Sequence, residues 1–301
     1  MPSCYNNEQI SSAGAVCMQY GIDVSSNNHV SGNDINWPAA YADLRKRCDH
    51  PFVMIKVTEG TNYVNPYWYW DRMGAHAAGF LVGLYHFCRP SDNSGHAEAE
   101  FFQRAIGKVG GILKGESEWG DIEDTRVATY ADLLAYLLDF LGTLSRPLGC
   151  PAGRYSGEWY MRPHNLWNRP ELKDFPLWYA DYSTSQPTLG ENDPILVWQN
   201  NCHGQVDGIP TEVDLNVFNG TVDDWNKYAW GMQPSPIANQ PIDVKPDVSI
   251  AANNETLSGA GTIFQKIGQD ALAIVQGGDA ITLAQKIKAD ADLGVQVTWG
   301  H

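Results

Sequence analysis

The chain has 301 residues, and its 35 acidic residues against 20 lysines and arginines give a formal net charge of −15. Hydrophobic residues make up 43% of the sequence and charged residues 18%, which is enough to bury a core and excludes global disorder. Because polyanions would repel such a chain, we expect no nucleic acid partner, whereas a neutral or zwitterionic glycan is compatible with the charge. No apolar run approaches the roughly 20 residues of a membrane-spanning helix, so we expect no membrane insertion.

Residues 1–19 form a polar N-terminal extension without the basic and apolar segments of a signal peptide. We therefore expect the protein to leave the cytoplasm by another route, for example through a membrane opening made by a second protein. The six cysteines are scattered and form no CxxC pair. Because a chain of this size does not depend on disulfides, we interpret most of them as free thiols.

Short β-rich segments alternate with helical segments in the first 220 residues. Eight β-rich segments recur at 21–25, 52–58, 81–87, 119–123, 153–156, 175–182, 195–199 and 213–218. Helices are predicted between the early ones, at 39–47, 67–78, 96–108 and 129–144. This order favours an α/β fold, a (β/α) barrel of eight strands, with a doubly wound sheet as the alternative. The later connections are short, so fewer than eight helices are expected.

The composition changes after the predicted barrel, which we place at residues 20–230. Four prolines mark residues 231–250 as an extended Pro-rich linker. Residues 251–301 are predicted to form a small helical C-terminal segment, because apolar residues recur on one helical face. About 50 residues are near the lower size limit for independent folding. This segment therefore either packs on its own barrel or serves in self-association or attachment.

Acidic residues lie at or near the ends of the predicted strands, namely Asp23, Asp121, Glu123 and Asp214. Asp121 and Glu123 are two residues apart in one predicted strand and are therefore expected on the same face. In a β/α barrel the carboxyl ends of the strands form the active-site face, where these carboxylates would converge. Glycosidic cleavage requires a protonated carboxyl group beside further negative charge, and mutual repulsion between carboxylates raises the pKa of one of them.

A sugar substrate also agrees with the aromatic residues on or beside the late strands, such as Trp178, Tyr179, Tyr182 and Trp198.

Six short motifs, taken in order, carry a resemblance to a known enzyme family. They are Gly-Ile-Asp-Val-Ser at 21–25, Ile-Lys-Val-Thr-Glu-Gly-Thr at 55–61, Ala-Gly-Phe-Leu-Val-Gly-Leu-Tyr-His-Phe at 78–87, Gly-Asp-Ile-Glu at 120–123, Trp-Gln at 198–199 and Val-Asp-Leu-Asn at 213–216. Together they resemble glycoside hydrolase family 25, the lysozymes (N-acetylmuramidases) that cleave the β-1,4 bond between N-acetylmuramic acid and N-acetylglucosamine in peptidoglycan. The resemblance covers residues 20–220 and implies a flattened barrel of eight strands with fewer than eight helices.

The resemblance also implies roles for individual residues. Glu123 would be the general acid/base, Asp121 would orient the 2-acetamido group of the substrate, and Asp23 and Asp214 would flank them. The expected substrate-binding set combines motif positions with aromatic residues: Lys56, Glu59, Tyr85, His86, Tyr155, Trp178, Tyr179 and Gln199. No metal and no cofactor are expected. The sequence departs from the family pattern at Trp119-Gly120, where apolar residues are more usual, and in the nearby acidic pair Glu116 and Glu118.

Several alternatives stay open from the sequence. Retention through substrate assistance and inversion by a water held by Asp214 or Asp23 are both compatible with the acidic pair. We expect a phage endolysin, kept in the host cytoplasm until a holin releases it, or a virion-associated lysin; residues 251–301 would then contact a second copy or a phage structural protein. The non-enzymatic alternative is a virion structural or glycan-binding component on a lysozyme fold. The eight histidines form no HExxH motif, which argues against a zinc peptidase.

Overall fold

The structure is a computed structural model that describes residues 18–30, 34–126, 130–183, 187, 189–193 and 195–232. The predictions for residues 1–17, for the linker from residue 233 onward and for the helical segment at 251–301 lie outside the described residues.

Nine strands and six α-helices make up the described part of the chain. The strands are β1 (Gln19–Val24), β2 (Phe52–Glu59), β3 (Tyr63–Val64), β4 (Leu81–Phe87), β5 (Ser117–Asp121), β6 (Gly153–Gly157), β7 (Leu177–Ala180), β8 (Ile195–Gly204) and β9 (Val213–Phe218). The helices are α1 (Trp37–Leu44), α2 (Trp68–Ala78), α3 (Gly95–Gly107), α4 (Tyr130–Leu148), α5 (Glu158–Met161) and α6 (Val222–Asn226). Each of the eight predicted strands and four predicted helices overlaps one of these elements.

The sheet closes on itself, because β1 pairs with β2 on one side and with β9 on the other. Eight strands form the ring in the order β1-β2-β4-β5-β6-β7-β8-β9, and the two-residue β3 only adds a short antiparallel pair to the end of β2. Neighbours are parallel from β1 to β8, whereas β9 runs antiparallel to both of its neighbours. The predicted barrel of eight strands is confirmed, and the doubly wound sheet is wrong.

Helices are unevenly distributed around the barrel, as the short late connections predict. The connections up to β6 each carry a helix of 8 to 19 residues, whereas the described residues of the later ones contain only the four-residue α5 and a 3₁₀ turn at Pro170–Leu172. Local capping explains where helices begin: Asn36 accepts from the backbone of Ala39 at the start of α1, and Ser94 accepts from Ala97 at the start of α3. No helix among the described residues is both long enough and apolar enough to cross a membrane.

Two layers of core lie on the two faces of the barrel wall. Inside the barrel, large rings and aliphatic side chains pack together, including Phe52, Met54, Tyr85, Trp119, Tyr155, Trp178 and Phe218. Between the wall and the helices lies a second apolar layer, including Ile22, Val53, Ile55, Leu84, Phe102, Leu137 and Phe140. Successive residues of a strand alternate between these layers, since side chains alternate across a sheet.

The unusual Trp119-Gly120 sequence has a packing reason. Trp119 points into the barrel and meets Trp178 edge to face, with ring centroids 6.3 Å apart. Gly120 faces the other layer, where a Cβ atom would lie only 2.6 Å from the Phe140 ring. Trp119 therefore fills the barrel interior, whereas Gly120 leaves room for the Phe140 side chain of α4.

Four of the six cysteines lie in the described part of the chain. Cys48, Cys88, Cys150 and Cys202 are free thiols, and Cys88 and Cys150 are buried. Burial raises the pKa of the Cys88 thiol well above its ordinary value, so it stays protonated.

Gly153 on β6 makes the space that Trp119 occupies, since a Cβ atom there would lie 1.9 Å from Cε3 of the indole. We expect Gly153→Ala to lower the free energy of unfolding by about 1–3 kcal/mol through overpacking. The matched control is Gly142→Ala in the middle of α4, where a Cβ atom meets nothing within 4 Å. Because alanine favours helix, this control should raise stability by about 0.5–1 kcal/mol. Urea unfolding measures the change in the free energy of unfolding of both variants, which should have opposite signs. Equal changes would refute the packing argument.

Candidate active site

Four carboxylates lie at one end of the barrel. Asp23 on β1 is in register with Asp214 on β9, and Asp121 is the last residue of β5. Because β9 runs in the reverse direction, its amino end reaches the same rim as the carboxyl ends of the parallel strands. Burial and the charges of all four groups, Glu123 included, raise the pKa of the Tyr85 hydroxyl, so the four carboxylates lie near this residue.

The prediction that Asp121 and Glu123 share one strand is wrong, because β5 ends at Asp121. Ile122 turns its side chain into the outer apolar layer and is 1% exposed, while its backbone N–H still donates to the carbonyl of Tyr155. The chain leaves the β4 ladder at this residue. Glu123 therefore lies in the connection after β5, partly buried and close enough to Asp121 for their charges to interact.

Burial is the main influence on the acidity of this cluster. It raises the pKa of Asp121 well above its ordinary value, and the neighbouring Glu123 raises it further. Burial also raises the pKa of Glu123, although the positive charge of Lys56 opposes the effect. The pKa values of Asp23 and Asp214 are raised for the same reason, with mutual repulsion added at Asp23. The cluster therefore holds protons at a pH where exposed carboxyl groups are ionised.

Asp121 has an acceptor atom that nothing in the described part of the chain satisfies. Its Oδ1 is buried and has no hydrogen-bond partner among those residues. The residue as a whole is only 6% exposed. A buried acceptor of this kind is costly unless a donor reaches it, so a ligand N–H or O–H group is suited to the position.

Asp23 is held by two amide side chains. Gln199 Nε2 and Asn216 Nδ2 both donate to Asp23 Oδ2, at 2.8 and 2.9 Å. Three further donors fix these amides: Tyr155 OH and Tyr182 OH donate to Gln199 Oε1 at 2.9 and 2.8 Å, and Trp178 Nε1 donates to Asn216 Oδ1 at 2.7 Å. Each amide oxygen is thus occupied by a donor, so its nitrogen faces Asp23.

Sequence reasoning missed Asn216 as a site residue. The signal was present, because Asn216 is two residues from Asp214 on β9 and therefore faces the same side of the sheet. Tyr182 was noted among the late aromatic residues but was not assigned to the site. The residue is 50% exposed, while its hydroxyl donates to Gln199.

Lys56 and Glu59 lie beside the carboxylates, at the carboxyl end of β2. Lys56 Nζ is 2.7 Å from Glu59 Oε2 and 4.6 Å from the centroid of the Phe87 ring. Arg89 Nε donates to the other oxygen of Glu59 at 2.9 Å. Lys56 thus pairs with Glu59 and also lies close to the acidic cluster. Its positive charge opposes the rise that burial causes in the pKa of Asp121 and Glu123.

His86 and Tyr179 do not face the site, which corrects their assignment as substrate-binding residues. His86 is fully buried in the outer layer, where its ring nitrogens lie 2.7 Å from Thr58 Oγ1 and 2.7 Å from Glu98 Oε2. Tyr179 is also fully buried there, with its ring 6.1 Å from that of Trp167. Each directly follows a residue that points into the barrel, Tyr85 or Trp178, and alternation sends it to the opposite face.

The outer layer also holds a cluster with metal-ligating chemistry. Ligand atoms of His86, Cys88 and Glu98 lie within 4.8 Å of one another, and all three residues are buried. Protein groups already occupy the carboxylate, since Tyr136 OH donates to Glu98 Oε2 at 2.7 Å and the backbone of Arg89 donates at 2.9 Å. The cluster is therefore a hydrogen-bonded element of the wall between β4, α3 and α4.

Comparison with known proteins agrees with this architecture. Residues 22–209, more than half of the chain, match the sequence profile of glycosyl hydrolases family 25. Lysozyme M1 of Streptomyces globisporus is 30% identical over 210 residues, which cover 67% of this chain and 68% of that protein. The N,O-diacetylmuramidase of Chalaropsis sp is 24% identical over 241 residues, which cover 70% of this chain and 99% of that protein.

Solved structures show the same fold. The bacterial lysozyme from Streptomyces coelicolor superposes with a TM-score of 0.58 at 28% identity, covering 68% of this chain and 94% of that one. A family GH25 lysozyme from Aspergillus fumigatus gives a TM-score of 0.59 at 26% identity, covering 71% and 100%. Fold, carboxylate cluster and matches together define a glycoside hydrolase built on a closed barrel. The chain belongs to glycosyl hydrolases family 25, the family of lysozymes and muramidases that hydrolyse peptidoglycan.

The acidic pair upstream of the site has two different environments. Glu116 is buried, forms an ion pair with Arg72 at 2.5 Å, and lies 2.7 Å from His76 Nε2. Glu118 is 3% exposed, and its Oε2 has no hydrogen-bond partner in the described part of the chain. Burial raises the pKa of Glu118 to about 8.

Glu118 should therefore make the stability of the protein fall as pH rises. The folded state keeps this proton up to about pH 8, whereas the unfolded chain releases it near its ordinary pKa of about 4.3, so stability is lost between these values. We expect Glu118→Gln to remove this loss: relative to the wild type, the variant should gain on the order of 2–4 kcal/mol between pH 5 and pH 8. Urea unfolding at both pH values measures the gain. The exposed Glu100→Gln should show none, and an equal pH dependence of Glu118→Gln and wild type would contradict the assignment.

Proposed function

We propose that the protein is an N-acetylmuramidase that cleaves the β-1,4 bond between N-acetylmuramic acid and N-acetylglucosamine, with Glu123 as general acid/base. The observation that carries the proposal is the pairing of Glu123, whose pKa burial raises, with Asp121, whose buried Oδ1 lacks a partner within the described residues. A proton donor and a free acceptor thus lie together at the rim of the barrel.

In the first step Glu123 donates its proton to the glycosidic oxygen as the bond to the anomeric carbon breaks. The carbonyl oxygen of the substrate's own 2-acetamido group attacks that carbon from the opposite side and forms an oxazolinium ion. Asp121 Oδ1 accepts the hydrogen bond of the acetamido N–H, which orients the group and stabilises the positive charge that develops on it. The unsatisfied acceptor of the free protein thereby gains its donor.

In the second step the Glu123 carboxylate takes a proton from water while the water oxygen attacks the anomeric carbon. The oxazolinium ring opens, the acetamido group is restored and the configuration is retained overall. Because the Asp23–Asp214 pair resists a second negative charge, it keeps one proton and adds one negative charge beside the cationic transition states. Gln199 and Asn216 hold Asp23 in place for this role.

A phage origin is part of the proposal. The protein would be an endolysin held in the host cytoplasm until a holin releases it, or a lysin carried in the virion. This part rests on the sequence interpretation, since the relatives named above come from Streptomyces, Chalaropsis and Aspergillus. Lysis of host cells on co-expression with a holin, compared with expression alone, tests the endolysin role. Contacts of residues 251–301 with a second copy or a phage protein stay a prediction.

The general acid assignment predicts a selective loss of catalysis. Glu123→Gln should lower the hydrolysis rate by about 10²–10⁴-fold, because the amide cannot donate a proton to the leaving oxygen. The thermal midpoint should not fall, since the substitution removes a buried ionisable group. The measurement is mass spectrometry of purified peptidoglycan fragments after borohydride reduction, with the exposed Glu171→Gln as control.

Reduced muramic acid ends from the wild type and the control, but not from Glu123→Gln, are the expected result. Wild-type activity of Glu123→Gln would overturn the acid assignment. Reduced glucosamine ends would make the enzyme a glucosaminidase. No new reducing ends would turn the proposal toward the glycan-binding or structural alternative.

The assisted mechanism predicts the anomer that is released first. Two displacements at the anomeric carbon give the β anomer of the new reducing end, which later mutarotates. Proton NMR during the first minutes of digestion of a soluble glycan distinguishes the anomers. An initial α product would instead require inversion by a water held by Asp214 or Asp23. Asp121→Asn should lose most activity if the acetamido group is the nucleophile.

A further inference from the structure

A polar cavity of about 650 Å³ opens next to the carboxylate cluster, at the carboxyl ends of β2 and β4. Its charged lining consists of Glu59, Arg89, Asp92 and Arg126, and Asn62 and Asn93 add neutral hydrogen-bonding groups. None of these residues takes part in the catalytic steps described above. The cavity is large enough for several residues of a peptide or for one or two sugar rings.

One buried carboxylate connects this cavity to the general acid. Asp124 has a side chain that is 1% exposed, and it accepts hydrogen bonds from Arg126 at 2.9 and 2.8 Å. Its Oδ1 also lies 3.4 Å from Arg89 Nη1. Asp124 directly follows Glu123 in the chain. Both cavity arginines therefore contact the residue that directly follows Glu123 in the chain.

The charges of the lining indicate what kind of ligand the cavity accepts. Glu59 and Asp92 are negative and Arg89 and Arg126 are positive, so the wall has groups of both signs and no net charge. Asp92 and Arg126 form an ion pair with each other at 2.8 Å, and their side chains are 51% and 50% exposed. Because such an exposed ion pair contributes little to stability, a charged ligand can replace it. A ligand with charge of one sign gains little from such a wall, whereas a ligand that carries both carboxylates and an amine finds a partner for each.

We propose that this cavity binds the peptide stem on the muramic acid unit that is cleaved. The inference rests on the proposed muramidase function. The stem is attached through the lactyl group of that sugar, next to the scissile bond, and it carries free carboxylates and an amine. Arg126 donates to a stem carboxylate, Asp92 accepts from the amine, and Asn62 meets a peptide amide. Because Asp124 links the cavity to Glu123, a bound stem holds the glycosidic oxygen of its own sugar near the acid.

The test compares two substrates that differ only in the stem. Glycan strands that keep their peptides are digested beside strands from which an amidase has removed them, and muramic acid ends are counted. For the wild type we expect kcat/KM about tenfold higher on the strands with stems, as charged hydrogen bonds of this kind provide. Arg126→Ala should bring the ratio close to one, mainly through KM. Arg104→Ala removes an arginine on α3 that is paired with Glu100 and is 60% exposed, against 50% for Arg126, and it should keep the wild-type ratio.

Binding without catalysis gives a second readout. A synthetic tetrapeptide with free carboxylates and a free side-chain amine, titrated into Glu123→Gln protein, should bind weakly and should lose binding once its carboxylates are amidated. Equal kcat/KM on both substrates, or an Arg126→Ala effect of the same size on both, would overturn the stem site while leaving the muramidase function intact. Absence of new muramic acid ends from either substrate would instead overturn the proposed function.

Discussion

Closure of the barrel through β1 is the constraint on which the rest of the site depends. In an open sheet the first and last strands would lie at opposite edges, far from each other. Here β1 pairs with both β2 and β9, so Asp23 lies in register with Asp214. The reversed direction of β9 then brings the amino end of that strand to the rim formed by the carboxyl ends of its parallel neighbours. Carboxylates that are far apart in the sequence thereby share one small volume.

The aromatic filling of the barrel determines the chemistry of that volume. Trp119, Trp178 and Tyr155 pack together inside the barrel, and burial is the first cause of every raised pKa in the cluster. Collecting like charges in such a place destabilises the fold unless protons remain bound or donors are supplied. Both solutions occur here. Gln199 and Asn216 supply donors to Asp23. Burial and mutual repulsion hold a proton on the Glu123–Asp121 pair, and the proposed general acid needs this proton.

Period-two patterning made much of this architecture predictable from sequence. Buried apolar runs located the eight barrel strands, and the short late connections indicated the missing helices. The same rule explains two errors, since Tyr85 and His86, like Trp178 and Tyr179, are sequence neighbours that cannot both face the barrel interior. The end of β5 at Asp121 was not predictable, because it depends on where the ladder with β4 stops. The cavity was not predictable either: Asp92, Asn93 and Arg126 lie in connections whose approach is set by the closed barrel.

The ion pairs beside the cluster connect the cavity electrostatically to Glu123, the proposed general acid. Lys56 and Arg89 both lower the pKa of Glu123 and so oppose the effect of burial. Arg89 is shared between Glu59 and Asp124, one on each side of it. A carboxylate bound in the cavity would neutralise part of this positive charge and leave burial less opposed. The pKa of Glu123 would then rise on binding, so that the proton is held most firmly when a substrate with its stem is in place. The same ion-pair network would thus both bind the stem and raise the pKa of Glu123.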